Sequence, residues 1–162
     1  MYNKSHSADV TINLGLYAFA SSMRSCFCIH TFDLSNPVTN KNTETDVVIT
    51  VNGKLSKVVT DVSQAFVSND VHRYVVDSDI FDGCNLLTNL DYCFAKNGTD
   101  EHYFVAPVLP NNVGMTLNRM FSASKVDITN LKTGGTIYLP SNTKACYSMF
   151  NNATLSEVTE VS

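Results

Sequence analysis

Charge is scarce in this sequence: charged side chains make up 16% of 162 residues, against a hydrophobic share of 44%. No cluster of Lys or Arg occurs, and the formal net charge is −4. Phosphate contacts supply most of the affinity of nucleic-acid binders and need a basic face, so nucleic acid is not an expected partner. No apolar run approaches the roughly 18 residues of a membrane-spanning helix, so no span is expected. The opening residues, Met1 to His6, lack the apolar stretch of a secretory signal; with Met1 as the start, export by that route is not expected. The cysteines (Cys26, Cys28, Cys84, Cys93, Cys146) form an odd set with no C-x-x-C pair. They are expected as reduced, mostly buried small hydrophobes from a reducing compartment. The sequons at Asn3, Asn97 and Asn152 carry little weight without export.

What replaces charge is neutral polarity: 17 Asn, with abundant Ser and Thr. These side chains compete for backbone hydrogen bonds and favour turns over long helices. The length suits one domain with a core of its own. The reading divides it into an N-terminal arm over residues 1–9 and a single domain over residues 10–162.

The strongest signal is self-similarity. Leu90-Asp91-Tyr92-Cys93-Phe94, Leu117-Asn118-Arg119-Met120-Phe121 and Cys146-Tyr147-Ser148-Met149-Phe150 each carry an apolar residue four positions before a Phe, with Cys or Met directly before it. Val62-Ser63-Gln64-Ala65-Phe66 keeps the spacing, and Leu14 to Phe19 fits more loosely. Phe66, Phe94, Phe121 and Phe150 thus recur at a near-constant step of about 28 residues, within the range of repeat architectures. The gap from Phe19 to Phe66 is longer and leaves room for a degenerate or merged pair of units. A second marker keeps step: Leu109-Pro110-Asn111-Asn112 stands ahead of Phe121 much as Leu139-Pro140-Ser141-Asn142 stands ahead of Phe150. Such periods imply stacked units, none able to bury its apolar face alone. Between the Phe motifs lie β-prone runs at Ile29 to Phe32, Val47 to Val51, Tyr74 to Val76, Tyr103 to Val105 and Thr136 to Leu139. The expected fold is therefore a β-rich repeat solenoid, leucine-rich-repeat-like, with one short strand per unit of about 28 residues and little helix. An ordinary β-sandwich, in which Phe recurs because strands recur, is the competing architecture.

Leu139-Pro140-Ser141-Asn142, Tyr147 to Asn152 and Leu155 to Val158 together resemble leucine-rich repeats of the BspA type. Val10-Thr11-Ile12 with Tyr17 to Ala20 resembles them again, as does Phe81 to Leu87. The units are a few residues longer than that family's, and the Ile-Gly pair expected before the aromatic-small-Phe triplet is mostly absent. The resemblance implies a right-handed solenoid with a binding or adhesive role, found on bacterial and protozoan surfaces and in some phage proteins. It implies no catalytic residues and no cofactor.

Taken singly, the chemistry-bearing residues point away from a reactive site. Cys26, Cys28 and His30 would share one face of a strand and could hold zinc with a fourth ligand from Cys84 or Cys93, but structural zinc sites come as spaced pairs, so no metal is expected. Cys93 and Cys146 occupy positions the pattern reserves for the core, which argues against a Cys–His nucleophile. Gly134-Gly135 lacks phosphate-loop spacing and reads as a turn. Asp77, Asp79 and Asp82 lack the bidentate Glu of a calcium loop and read as a solvated acidic turn. The expected protein is not an enzyme. His72, Arg73 and Tyr74, with His102 and Tyr103 and with Tyr138, fall near the starts of strands in successive units. Facing outward, they would line up as an aromatic, polar binding stripe for a protein or glycan.

The chain ends about half a unit beyond Phe150 with no capping element, so a longer parent protein or another chain is expected to cover that end. The expectation is a structural or interaction module of a phage virion, such as a capsid decoration or tail component, binding a protein partner or other copies of itself. The alternative is the repeat region of a bacterial cell-surface adhesin.

Overall fold

The structure is a computed structural model and describes residues 10–15, 20–27, 48–67, 73–96, 103–133 and 136–156. Ten short strands follow one another: β1 (Val10–Asn13), β2 (Val48–Asn52), β3 (Arg73–Val76), β4 (Tyr103–Val105), β5 (Met115–Thr116), β6 (Lys125–Asp127), β7 (Lys132–Thr133), β8 (Thr136–Ile137), β9 (Thr143–Ala145) and β10 (Thr154–Ser156). One 3-10 turn, Thr129–Leu131, is the only helical element among the described residues. The chain is β-rich with almost no helix.

Six strands form one sheet in the order β1-β2-β3-β4-β6-β10, which is chain order. Every pairing in it is parallel, unlike the antiparallel sheets of a sandwich. Parallel neighbours cannot be joined by a tight hairpin, so after each strand the chain must travel away and return. The register aligns Val10 with Ile49, Ile49 with Tyr74, Phe104 with Val126 and Val126 with Leu155. The pairing of Arg73 with Tyr103 places Tyr74 beside Phe104 in the same row. The four interior members of this row are at most 1% exposed, whereas Val10 and Leu155 at its ends are 41% and 42% exposed.

The Phe motifs supply the opposite wall of the core. Each is a turn closed by an amide three residues after its acceptor: Cys26 to Met23, Ala65 to Val62, Cys93 to Leu90, Met120 to Leu117 and Met149 to Cys146. The third residue of every one has positive φ: Ser25 (54°), Gln64 (58°), Tyr92 (57°), Arg119 (52°) and Ser148 (51°). Positive φ at that place is what a type II turn requires, and in the three middle turns the next two side chains, Ala65 and Phe66, Cys93 and Phe94, and Met120 and Phe121, are buried. The turns are bonded face to face: Phe27 N–H donates to Ala65, Phe66 to Cys93, Phe94 to Met120 and Phe121 to Met149, at 2.8–3.0 Å. Their rings stack in the same order, Phe27–Phe66 at 5.0 Å, Phe66–Phe94 at 4.9 Å, Phe94–Phe121 at 5.9 Å and Phe121–Phe150 at 5.3 Å between centroids. Interplanar angles of 3–16° make this an offset column, a preferred geometry for π faces. Ahead of the turns, bridges Ser22–Asp61–Asn89–Thr116 and the β5–β9 pair continue the parallel bonding as a second strip.

Several sequence expectations need correction. Among the described residues the first ring of the column is Phe27, because Met23-x-x-Cys26-Phe27 is equivalent to the later motifs. The step from Phe27 to Phe66 is longer than those that follow it. Phe19 and the Ile29 to Phe32 run lie outside the described residues. Cys26 sits in this turn, not on a strand, so the zinc-ligand face drawn through it is lost, and Cys28 and His30 are not described. Thr136 to Leu139 is not a strand of the main sheet: β7 and β8 pair antiparallel as a side hairpin, and Lys125–Asp127 takes the expected place. Cys26 and Cys146 are exposed, whereas Cys84 and Cys93 are buried. Cys146 holds the position that Leu90 and Leu117 fill in the interior, but no described turn lies beyond it.

Candidate interaction surface

The aromatic stripe expected from sequence is not assembled as drawn. Tyr74 is fully buried: its ring meets Phe66 edge-on at 5.6 Å and its hydroxyl donates to the Phe27 carbonyl at 2.7 Å. A phenol whose one donor is satisfied inside the core cannot serve an outer face, so Tyr74 leaves the stripe. Tyr138 is 61% exposed, but it follows the β7–β8 hairpin and is out of line with β3 and β4. Arg73 and Tyr103 are register partners on β3 and β4. His72, His102 and the side chains of Arg73 and Tyr103 lie outside the described residues.

A different stripe is present. The loops ahead of the Phe turns are stacked by lateral bonds. Cys84 Sγ donates to the Leu55 and Ser56 carbonyls, and the Asn112 side-chain amide donates to Cys84 and Leu87 carbonyls at 2.8 and 2.7 Å. Each loop exposes an apolar side chain eight residues before its Phe, Val58 (42% exposed), Leu86 (55%) and Val113 (81%), and the last of these loops exposes Val108 as well. Asn142 holds the same place before Phe150. Single exposed aliphatics are ordinary, but these three recur at the equivalent position of successive bonded loops. The recurrence is visible in the sequence once counted back from each Phe. A search for tyrosine and histidine, whose polar tips suggest binding, passes over it.

On the other flank of the Phe turns, short polar side chains bond from one turn to the next. Asp91 accepts from the Asn118 backbone at 2.9 Å and from its side chain at 3.1 Å, and Asn118 accepts from the Tyr147 amide at 2.9 Å. The Arg119 guanidinium lies over the Tyr92 ring at 5.7 Å. Asn and Asp thus serve as lateral ties between turns, which explains the Asn content by hydrogen bonding.

The thiols divide by environment. Burial pushes the Cys93 thiol well above its ordinary value and, together with the Asp82 charge, raises that of Cys84. Both are held in the neutral, weakly nucleophilic form. In the acidic turn, Lys54 Nζ meets Asp82 at 2.5 Å and Asp79 at 3.0 Å, and Asp77 accepts from the Gly53 amide at 2.6 Å. The hydrogen bonds to Lys54 raise the lysine and lower Asp82. These carboxylates are therefore tied to a cation and an amide of the neighbouring turn. No group of three or more His, Cys, Asp or Glu that could hold a metal occurs among the described residues, and no described helix is long and apolar enough to cross a membrane.

No family model, curated protein or solved structure matches this chain.

Proposed function

We propose that the chain is a solenoid of leucine-rich-repeat-like coils, each made of one main-sheet strand and one Phe turn, and that it acts without catalysis as an interaction or structural module. The observation that carries this reading is the conjunction of six parallel strands in chain order with a column of Phe rings 4.9–5.9 Å apart. Parallel strands and returning turns that stay in step across five layers support a coil that advances by one strand per turn. The resemblance to BspA-type repeats agrees with the strand-then-Phe order. The residues that would bear chemistry are otherwise engaged: Cys84 and Cys93 line the core, and Asp79 and Asp82 hold Lys54. Among the side chains that face outward are Val58, Leu86 and Val113, with Tyr138 and Tyr147 also exposed, a mix of apolar and aromatic groups suited to a protein partner.

In its specific form the proposal is a phage virion component, a capsid decoration or tail protein assembled in the host cytoplasm. Core thiols that have no disulfide partner suit assembly in a reducing compartment. The test is particle composition. The chain should co-purify with intact particles through a density gradient, in fixed ratio to the major virion protein. Recovery from intact bacteria by surface proteolysis would assign it to an adhesin instead, and recovery in neither fraction would overturn the reading.

A further inference from the structure

The two ends of the stack are complementary to each other. Within the chain, lateral bonds between Phe turns run one way: amides of the earlier turn donate to carbonyls of the later one. Met23, Ser25 and Phe27 donate to Asp61, Ser63 and Ala65, and Leu117, Arg119, Phe121 and Ala123 donate to Ala145, Tyr147, Met149 and Asn151. The last described turn therefore offers a row of outward amides, those of Cys146, Ser148, Phe150 and Asn152, that meet no acceptor among the described residues. The first described turn offers the matching row of carbonyls, those of Ser22, Arg24 and Cys26, that receive no donor there. These two rows carry the alternation that joins the internal turns, while residues flanking the turns bond in the opposite sense, Thr60 to Ser21, Thr116 to Thr88 and Thr154 to Ser124.

The sheet edges repeat the match. Among the described strands β1 pairs only with β2, and β10 only with β6, so the outer edge of each has no described strand beside it. Val10 and Leu155 terminate the row Val10, Ile49, Tyr74, Phe104, Val126, Leu155, and they are its half-exposed members. In the aromatic column Phe27 ends one side and Phe150 the other. Across a two-fold axis the turn amides of that end would face one another, donor against donor, so this row cannot be matched by itself. It can be satisfied by the acceptor face of an identical chain.

We infer that the occupant of each end face is a second copy of this chain, joined head to tail so that β10 of one copy pairs in parallel with β1 of the next. Leu155 then meets Val10 as Val126 meets Leu155 within the chain, and the Phe150 ring meets Phe27. A heterologous contact of this kind does not close on itself and produces an open series. The inference rests on the coiled reading above, and names the partner that an assembling module of this kind would take.

The experiment measures mass against concentration by sedimentation equilibrium for wild type, Val10→Lys, Leu155→Lys and an equimolar mixture of the two variants. A lysine on an edge strand blocks pairing at that edge, and both sites are already half exposed, so far-UV circular dichroism should be unchanged. Thr11→Lys and Thr154→Lys, on the same two edges, replace any variant that loses structure. Wild type should climb from 17.8 kDa without a plateau, and each variant alone should stay at 17.8 kDa. The mixture should reach twice that mass and stop, because one intact end from each variant remains. Wild type that is monomeric throughout would overturn the inference while leaving particle association to be judged separately. A closed dimer that survives in either single variant would also overturn it, by showing a two-fold contact.

Discussion

The individual side chains that hold the stack are the Phe rings and the groups that ring them. Phe121 is fully buried and lies within 5.3–5.9 Å of Phe94, Phe104 and Phe150. Phe121→Ala leaves a cavity with packed walls and should cost about 3–5 kcal/mol in urea unfolding. Phe150, stacked on Phe121 alone among these rings and only partly buried, should cost clearly less when truncated. The thiols give a second residue-level expectation. Cys93 and Cys84 have folded pKa values raised above those of the unfolded chain, so the folded state keeps protons that the unfolded state loses at high pH. Their contribution is present in full below about pH 8.5, the ordinary thiol value, and declines as the pH rises beyond it. Stability should fall as the pH is raised through that value, with a shallower slope in Cys93→Ala. Under native conditions iodoacetamide should modify Cys26 and Cys146 and spare Cys84 and Cys93.

The turn is the element that sets the phase. Phe66, Phe94, Phe121 and Phe150 are evenly spaced, while the register partners on successive main strands, Ile49, Tyr74, Phe104, Val126 and Leu155, are spaced unevenly. Length variation between strands is absorbed by the connecting segments, and the ring column stays in step. This is why the Phe spacing is legible in sequence and the strand positions less so. β2, β3 and β4 announce themselves by branched and aromatic runs, but Lys125–Asp127 is a short run with charged residues at both ends. Thr136 to Leu139 has the better β propensity and reads as the stronger strand. Propensity loses there to the parallel register imposed by β4 and β10. Tyr74 misleads for a related reason: a phenol suggests a surface, and only tertiary contact reveals the Phe27 carbonyl that satisfies it inside. Backbone strain in the turns is testable. Gln64 has φ of 58°, a region that costs an L-residue roughly 1–2 kcal/mol, whereas glycine adopts it freely. Gln64→Gly should therefore be stabilising by roughly 0.5–1 kcal/mol after its extra backbone entropy is subtracted. Gly53 is the converse case, with φ of 96° and a Cβ site 3.1 Å from the Leu14 carbonyl oxygen. Gly53→Ala should cost more than about 1 kcal/mol in the same assay, since strain and a backbone contact add.

At the scale of the whole molecule, the described core lies between a parallel sheet on one side and the Phe turns on the other. Many of the hydrophobic residues lie in that core, while Val58, Leu86 and Val113 are exposed together with Val108, Tyr138, Leu139 and Tyr147. The coiled reading makes function a matter of which surfaces are covered: Val58, Leu86 and Val113 by a protein partner, the end faces by further copies. The rings from Phe66 to Phe150 are readable from sequence alone, because their period survives variation in the rest of each turn, whereas Phe27 stands at a longer step and is not. The directionality of the lateral bonds is not, since it depends on which way each backbone amide points. The central claim is that rings far apart in sequence are in face-to-face contact. The direct measurement is a nuclear Overhauser spectrum of perdeuterated protein carrying protonated Phe rings. Cross-peaks should link Phe27 to Phe66, Phe66 to Phe94, Phe94 to Phe121 and Phe121 to Phe150. Assigned rings that show no cross-peaks along this series would contradict it.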